Sequence, residues 1–275
     1  MLNLGGNSRQ SLSAIRVVLD EKLKGLSPSE CTKISSDLFE VLAILQSSGA
    51  LRRAVTDPAR DHEAKSALVK EIFGKSVQAR TIELLVEIVA LRWSRISDLV
   101  EAIEQLAVEA EATTANIDDS LNQVEEELYA FSKVLTANGD LRQALNNSQD
   151  SGDRKSELVT VIFGGKYHPS SVRLLTQLVR VLQRRNIELA LLDFIDGVSA
   201  RHNRLRAVVR SRVPLTHAQR EKLVETLSSQ MGQPVHVSVE LDAGVIGGVE
   251  VRFDEEVIDG TISNRLAEAG RALAV

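Results

Sequence analysis

The chain has 275 residues, 43% hydrophobic and 26% charged, with a formal net charge of −5. That length buries a full core without staples, and the acidic balance argues against a dedicated nucleic-acid binder, whose affinity rests on clustered Lys and Arg. A single cysteine, Cys31, excludes an intrachain disulfide and a Cys-based metal cluster, and 3% aromatics leave few platforms for stacking bases.

Apolar spacing predicts helices over 8–24, 29–47, 62–73, 79–92 and 97–114, then over 117–137, 153–163, 169–184 and 187–203. Breakers separate them: Gly25 with Ser27-Pro28, Gly49, Asp57-Pro58, Gly139, Asn146-Asn147, Gly152 and His168-Pro169. No breaker lies between Ser97 and Ala115, so that helix is expected to pass from a first bundle toward a second. Stripes such as Leu121, Val124, Leu128, Phe131 and Leu135, with short loops, imply antiparallel neighbours in bundles.

The two helical halves are copies. KSALVKEIFG at 65–74 recurs as KSELVTVIFG at 155–164, 90 residues on. At the same offset Leu51-Arg52 meets Leu141-Arg142, Leu84-Leu85 meets Leu174-Leu175, and Arg95 meets Arg185. Units this long, present twice, are duplicated globular domains rather than a solenoid. The Gly164-Gly165-Lys166 run superficially suggests a phosphate loop. It follows a helical run, where such a loop would follow a strand and open a helix. A glycine placed there reads as a left-handed helix cap.

Near Leu205 the pattern changes. Residues 207–213 read as a strand ended by Pro214, Thr216 caps a helix to about Met231, 234–241 alternates as a strand, VEVRF is another strand, and EVID follows a turn at Asp254-Glu255. A last helix is expected from Thr261 to Leu273. The fold class is therefore mainly α: two tandem antiparallel helical bundles related by duplication, 1–114 and 115–205, followed by a small α/β domain, 206–275, of order βαββα.

Val213-Pro214-Leu215-Thr216, Ile246-Gly247-Gly248, Asp259-Gly260-Thr261 and Arg265-Leu266 carry a resemblance. This tail resembles the C-terminal signature of the ATP synthase delta subunit family, the bacterial relatives of the oligomycin-sensitivity-conferring protein. The second copy resembles that family's N-terminal bundle, so the likeness covers about 115–275. Two features depart from the family pattern. The hairpin turn is Asp254-Glu255 in place of Gly-Asp, and an extra bundle stands in front, as in long forms of the family. The resemblance implies a non-catalytic stator subunit of the F-type proton-translocating ATP synthase, with no cofactor and no metal. It implies two partners, the N-terminal helix of the alpha subunit on a bundle and a b-type stalk subunit. It places the chain at the cytoplasmic face of the cell membrane, held only through the complex; its opening residues lack a signal-peptide pattern and no apolar run is long enough to span.

Capture of a partner helix needs an apolar groove beyond a bundle's own core. Candidates are Val172, Leu175, Leu178, Val179 and Leu182 in the second copy and Leu85, Ile88 and Val89 in the first, although a helix central in its bundle has the same pattern. Family-motif positions are Pro214, Gly247, Gly248, Asp259, Gly260 and Leu266. His62, His168, His202, His217 and His236 lack ligand spacing. Glu125-Glu126-Glu127 reads as a solvated face. Arg201, Arg204, Arg206, Arg210 and Arg212 form the one basic stretch, best read as a solvated face or a contact to an acidic partner. The competing functional readings are a duplicated helical adaptor unrelated to ATP synthesis and, more weakly, a nucleic-acid regulator.

Overall fold

The structure, a computed structural model, describes residues 4–183, 185–231, 235–242, 244–245, 248–253 and 256–259. The chain divides into two compact units, Met1–Ser199 and Ala200–Val275.

The first unit is built from α1 (Gly6–Leu23), α2 (Pro28–Ser47), α3 (Gly49–Thr56), α4 (His62–Phe73), α5 (Ala79–Ala90), α6 (Ile96–Ile117), α7 (Leu121–Ala137), α8 (Gly139–Asn146), α9 (Gly152–Phe163), α10 (Pro169–Val181) and α11, which runs Ile187–Leu205. A shift of 90 residues lays α3 on α8 and α4 on α9 residue for residue, and α2 and α5 on α7 and α10. The same shift lays α1 on α6 and α6 on α11. The duplication therefore overlaps: α6 is the sixth helix of the first copy and the first helix of the second. The division expected at 114/115 falls inside it.

Its double role explains its burial. Every residue from Ala102 to Asn116 is buried, Glu104, Glu109 and Glu111 included. A helix buried all round is normally apolar all round. Here each carboxylate meets an arginine from another element: Glu104 meets Arg185 at 2.5 Å, Glu109 meets Arg16 at 2.6 Å and Glu111 meets Arg173 at 2.7 Å. Partners of this kind make buried carboxylates tolerable. The helix ends where Asp119 turns left-handed, at φ 54°.

Both copies anchor their fifth helix in one way. Asp37 accepts the Gln78 amide at 3.0 Å and the Thr81 hydroxyl at 2.9 Å, at the start of α5. Glu127, at the matched position, accepts the His168 amide at 2.8 Å, at the start of α10. An acidic side chain there satisfies an orphan amide and complements the helix dipole.

Three expectations are corrected. Gly49 and Gly139 fall at breaks as expected but open short helices, α3 and α8, absent from the predicted set; the Ser48 hydroxyl caps the first by accepting from the Leu51 amide at 3.2 Å. Gly74 and Gly164 end their helices without the left-handed conformation, at φ −62° and −57°. Glycine is needed because a Cβ would stand 2.4 Å from the carbonyl of Lys70 or Thr160. The left-handed residue is Gly165, at φ +73°. Finally, α10 stops at Val181 rather than 184, because Gln183 turns left-handed at φ 49°.

The second unit holds β1 (Arg206–Ser211), α12 (His217–Met231), β2 (His236–Leu241), β3 (Val249–Phe253) and β4 (Glu256–Asp259) in one sheet of order β2-β1-β3-β4. β1 and β2 pair in parallel, so a helix must carry the chain between them. Thr216 and Gln219 cap α12 reciprocally, at 2.9 and 3.3 Å. Alternate residues Ala207, Val209, Val237 and Val251 pack with Leu227 of α12. EVID pairs as a fourth strand; the closing helix expected over 261–273 lies outside the described residues.

Candidate partner-binding faces

Of the residues expected to line a groove, Leu85, Ile88, Val89, Leu175, Leu178, Val179 and Leu182 are buried, and Val172 is half-buried. Their apolar width faces the bundle interior: α5 packs on α4 and α1, and α10 packs on α9, α6, α7 and α2. Of its large apolar side chains, α5 leaves Ile82 and Val86 half-exposed, and on α1, which packs on it, Ala14 and Val17 are exposed and Val18 is half-exposed. Val17 is 53% exposed. These α1 residues escaped the sequence reading because a short run of small apolar side chains looks like any amphipathic face. Alignment of the copies exposes the signal: Val17 matches Ala107, which is sealed.

The sealing agent is α2. It lies across α6, where Ser35 donates to the Ala107 carbonyl at 2.8 Å and Thr32 meets Thr114 at 3.2 Å. It also reaches α10, where Gln46 donates to the Val181 carbonyl at 3.3 Å. Ala107 and Thr114 are buried under it, and Glu104, Val108 and Glu111 are buried with Arg185, Gly197 and Arg173 against them, whereas the matched Ala14, Val17, Glu21 and Lys24 are exposed and Val18 is half-exposed. The first-and-fifth-helix face is thus covered by a helix in the second copy and open in the first. An ion pair from Lys22 to Glu83 bridges α1 and α5 at the open face, and the Lys22 ammonium holds the Glu83 carboxyl below its ordinary range.

Carboxylates gather between α6 and α11. Burial pushes Glu101, Glu104 and Asp193 up, with Arg185 opposing it for Glu104 and Asp193. Burial also acts on Asp98, but hydrogen bonds from Ser8, Arg95 and the Gly5 amide outweigh it and hold that carboxyl below its usual range. The helices approach closely at Gly197, where a Cβ would sit 2.8 Å from Val108 Cγ1. Among the described residues, no group of three or more His, Cys, Asp or Glu gathers to hold a metal ion.

Residues 108–273 match the family described as ATP synthase delta (OSCP) subunit. "ATP synthase subunit delta" of Streptomyces coelicolor is 36% identical over 274 residues, covering 100% of both chains. The chain belongs to the ATP synthase delta (OSCP) family. The namesake from Acidothermus cellulolyticus is 38% identical over 274 residues, covering 98% of this chain and 99% of that one. The match to the delta family begins within α6, and the Streptomyces relative extends the likeness through the first copy. A chain in the cryo-EM structure of the Toxoplasma gondii mitochondrial ATP synthase hexamer is 17% identical, covering 61% of this chain and 95% of that one at a TM-score of 0.31. A similarity at that level bears on neither fold nor partners.

Of the delta-family motif positions, Pro214 is exposed after β1, Gly248 sits at φ +81° just before β3, and Asp259 ends β4 opposite Glu250. Gly247, Gly260 and Leu266 lie outside the described residues. In the basic stretch, Arg201 is fully buried, and Arg210 lies between Glu240 and Glu250 of the flanking strands, at 3.7 and 3.9 Å. No described helix is long and apolar enough to cross a membrane.

Proposed function

We propose that this chain is a non-catalytic peripheral-stalk subunit of the F-type ATP synthase, peripheral at the cytoplasmic face of the membrane. It links the N-terminal helix of an alpha subunit to a b-type stalk subunit and resists rotor torque. Full-length likeness to delta subunits supports the role. The observation that carries the choice of face is α2 seated across α6 and α10: the second copy's groove already holds a helix, so an incoming alpha helix has the α1–α5 face of the first copy. There Ala14, Val17, Val18, Ile82 and Val86 offer apolar anchorage of the kind that receives an amphipathic helix. The buried Leu85, Ile88 and Val89 support that face from beneath. The small α/β unit is left for the b-type subunit.

Trp93 reports on this face, since its indole donates to the Ile88 carbonyl at the end of α5, at 2.9 Å. Titration with a synthetic peptide of the alpha N-terminus should change Trp93 emission and give a saturable calorimetric signal. Val17→Asp should weaken binding about tenfold, the scale of one lost interface anchor, and leave the thermal midpoint unchanged. Calorimetric silence would refute capture of alpha by this chain. Binding that Val17→Asp leaves untouched would move the guest to another face.

A further inference from the structure

The open face of the first copy keeps its shape without a cover. In the second copy α6 and α10 are bolted together by Glu111 and Arg173 and roofed by α2. The residues matched to that bolt on α1 and α5 are Glu21 and Glu83, both acidic, so the same pair cannot form. Lys22 pairs with Glu83 instead, and both side chains are partly exposed, where an ion pair holds weakly.

At the other end of the face α1 is stitched by buried groups. Asp98, fully buried in the first turn of α6, accepts the Ser8 hydroxyl at 2.7 Å and the Gly5 amide at 3.3 Å. Arg95 donates to its other oxygen at 2.7 Å. Ser8, also fully buried, accepts the Ser94 amide at 2.8 Å, and Ser11 donates to the Arg92 carbonyl at 2.7 Å. The start of α1 is thus tied both to the connector that leaves α5 and to the helix that follows it. The segments approach so closely that a Cβ on Gly5 would stand 2.5 Å from Ser94 Oγ. The hydroxyls have no counterpart in the second copy, where Asp98 and Glu101 match Ser8 and Ser11. Arg185, matched to Arg95, reaches Glu104 and Asp193.

We propose that Ser8 and Asp98 are positioning residues of the α1–α5 face: without touching the guest, they hold α1 in place on α5, so that the groove is formed before a helix arrives. The second copy's face is held by its cover and its bolt; the first copy's is held from its end. A groove ordered beforehand loses less of the binding free energy to ordering. The proposal rests on the reading of this face as the seat of the alpha N-terminal helix.

The test is calorimetric titration of the full chain with the synthetic alpha N-terminal peptide, well below the thermal midpoint. Ser8→Ala removes both bonds of the hydroxyl and should weaken binding about tenfold. Asp98→Asn keeps the shape but loses the charge that strengthens the bonds, and should weaken binding at least about threefold. Glu127→Ala, which removes a cap in the second copy, is the control: it lowers stability and should leave affinity within about twofold, as a distant site does. If either folded variant binds the peptide as tightly as the parent chain, the proposal falls and the alpha site stands. Equal weakening by Glu127→Ala also overturns it, because the loss would then follow overall stability. A parent chain that binds no peptide, or binds it with indifference to Val17→Asp, overturns the assigned face and this positioning with it.

Discussion

Asp37 and Glu127 occupy matched positions and perform one task, holding the first turn of the fifth helix of each copy, yet with unequal force. Asp37 is fully buried and accepts from both an amide and a hydroxyl, whereas Glu127 is half-buried and accepts the His168 amide. Removing a buried acceptor loses its hydrogen bonds and strands the donors, while loss of an ordinary cap costs about 1 kcal/mol. Asp37→Ala should therefore destabilise by about 2–3 kcal/mol and Glu127→Ala by about 1 kcal/mol, measured by urea unfolding of the full chain. Equal effects would show that the two copies are not anchored as their contacts indicate. Neither acid stood out in the sequence: Glu127 sat in a run of three glutamates that read as solvated. Only the fold brings it to a helix start 41 residues away. Short-range capping, by contrast, was legible, as Thr216 shows.

At the scale of elements, α6 concentrates what the sequence concealed. Its continuity from Ser97 to Ala115 could be read from the lack of a breaker, and so could its passage between bundles. Its burial could not: a 22-residue helix with four glutamates, three of them the buried Glu104, Glu109 and Glu111, looks like a wet face. The arginines that neutralise them come from α1, α10 and the loop before α11, at separations no local pattern reveals. Breaking one pair should be costly and removing both partners much less so. Arg173→Met strands Glu111 and should cost about 3 kcal/mol, whereas Arg173→Met with Glu111→Leu should recover most of that loss. A double variant no more stable than the single one would show that the pair itself, not the stranded charge, sets stability.

The carboxylates around α6 also give the fold an uneven response to acid. Glu101, Glu104 and Asp193 have folded values raised above those of the unfolded chain. For such groups the stabilising contribution is complete below the unfolded value and is lost as pH rises through the folded one. Asp98 is held low, so its contribution is present above the ordinary aspartate value and is lost as pH falls through the folded value. Thermal midpoints should therefore rise as pH drops from neutrality toward about 5 and fall again in stronger acid. Glu101→Gln with Asp193→Asn should flatten the rise and leave the acid-side fall in place. A midpoint that declines steadily from neutrality downward would contradict the raised values.

For the whole molecule, the shared helix decides where the chain can be cut. The duplication was plain from the 90-residue echo, but the echo alone suggested two bundles set end to end and met at 114/115. Such a cut leaves the second copy without its first helix, from which Leu99, Ile103, Leu106 and Val108 are buried. Each large apolar side chain withdrawn from water contributes about 1.5–3 kcal/mol. Several of them together rival the 5–15 kcal/mol that holds a domain folded. A fragment of residues 96–205 keeps α6 with Arg173 and Arg185 on Glu111 and Glu104, and loses Arg16 from Glu109 together with the cover of α2. It should unfold cooperatively in urea, at a lower midpoint than the full chain. A fragment of 115–205 should show no cooperative transition, because α7, α10 and α11 then surround an empty groove. Should 115–205 unfold as sharply as 96–205, α6 would belong to the first copy alone. The face closed by α2 would then need another explanation.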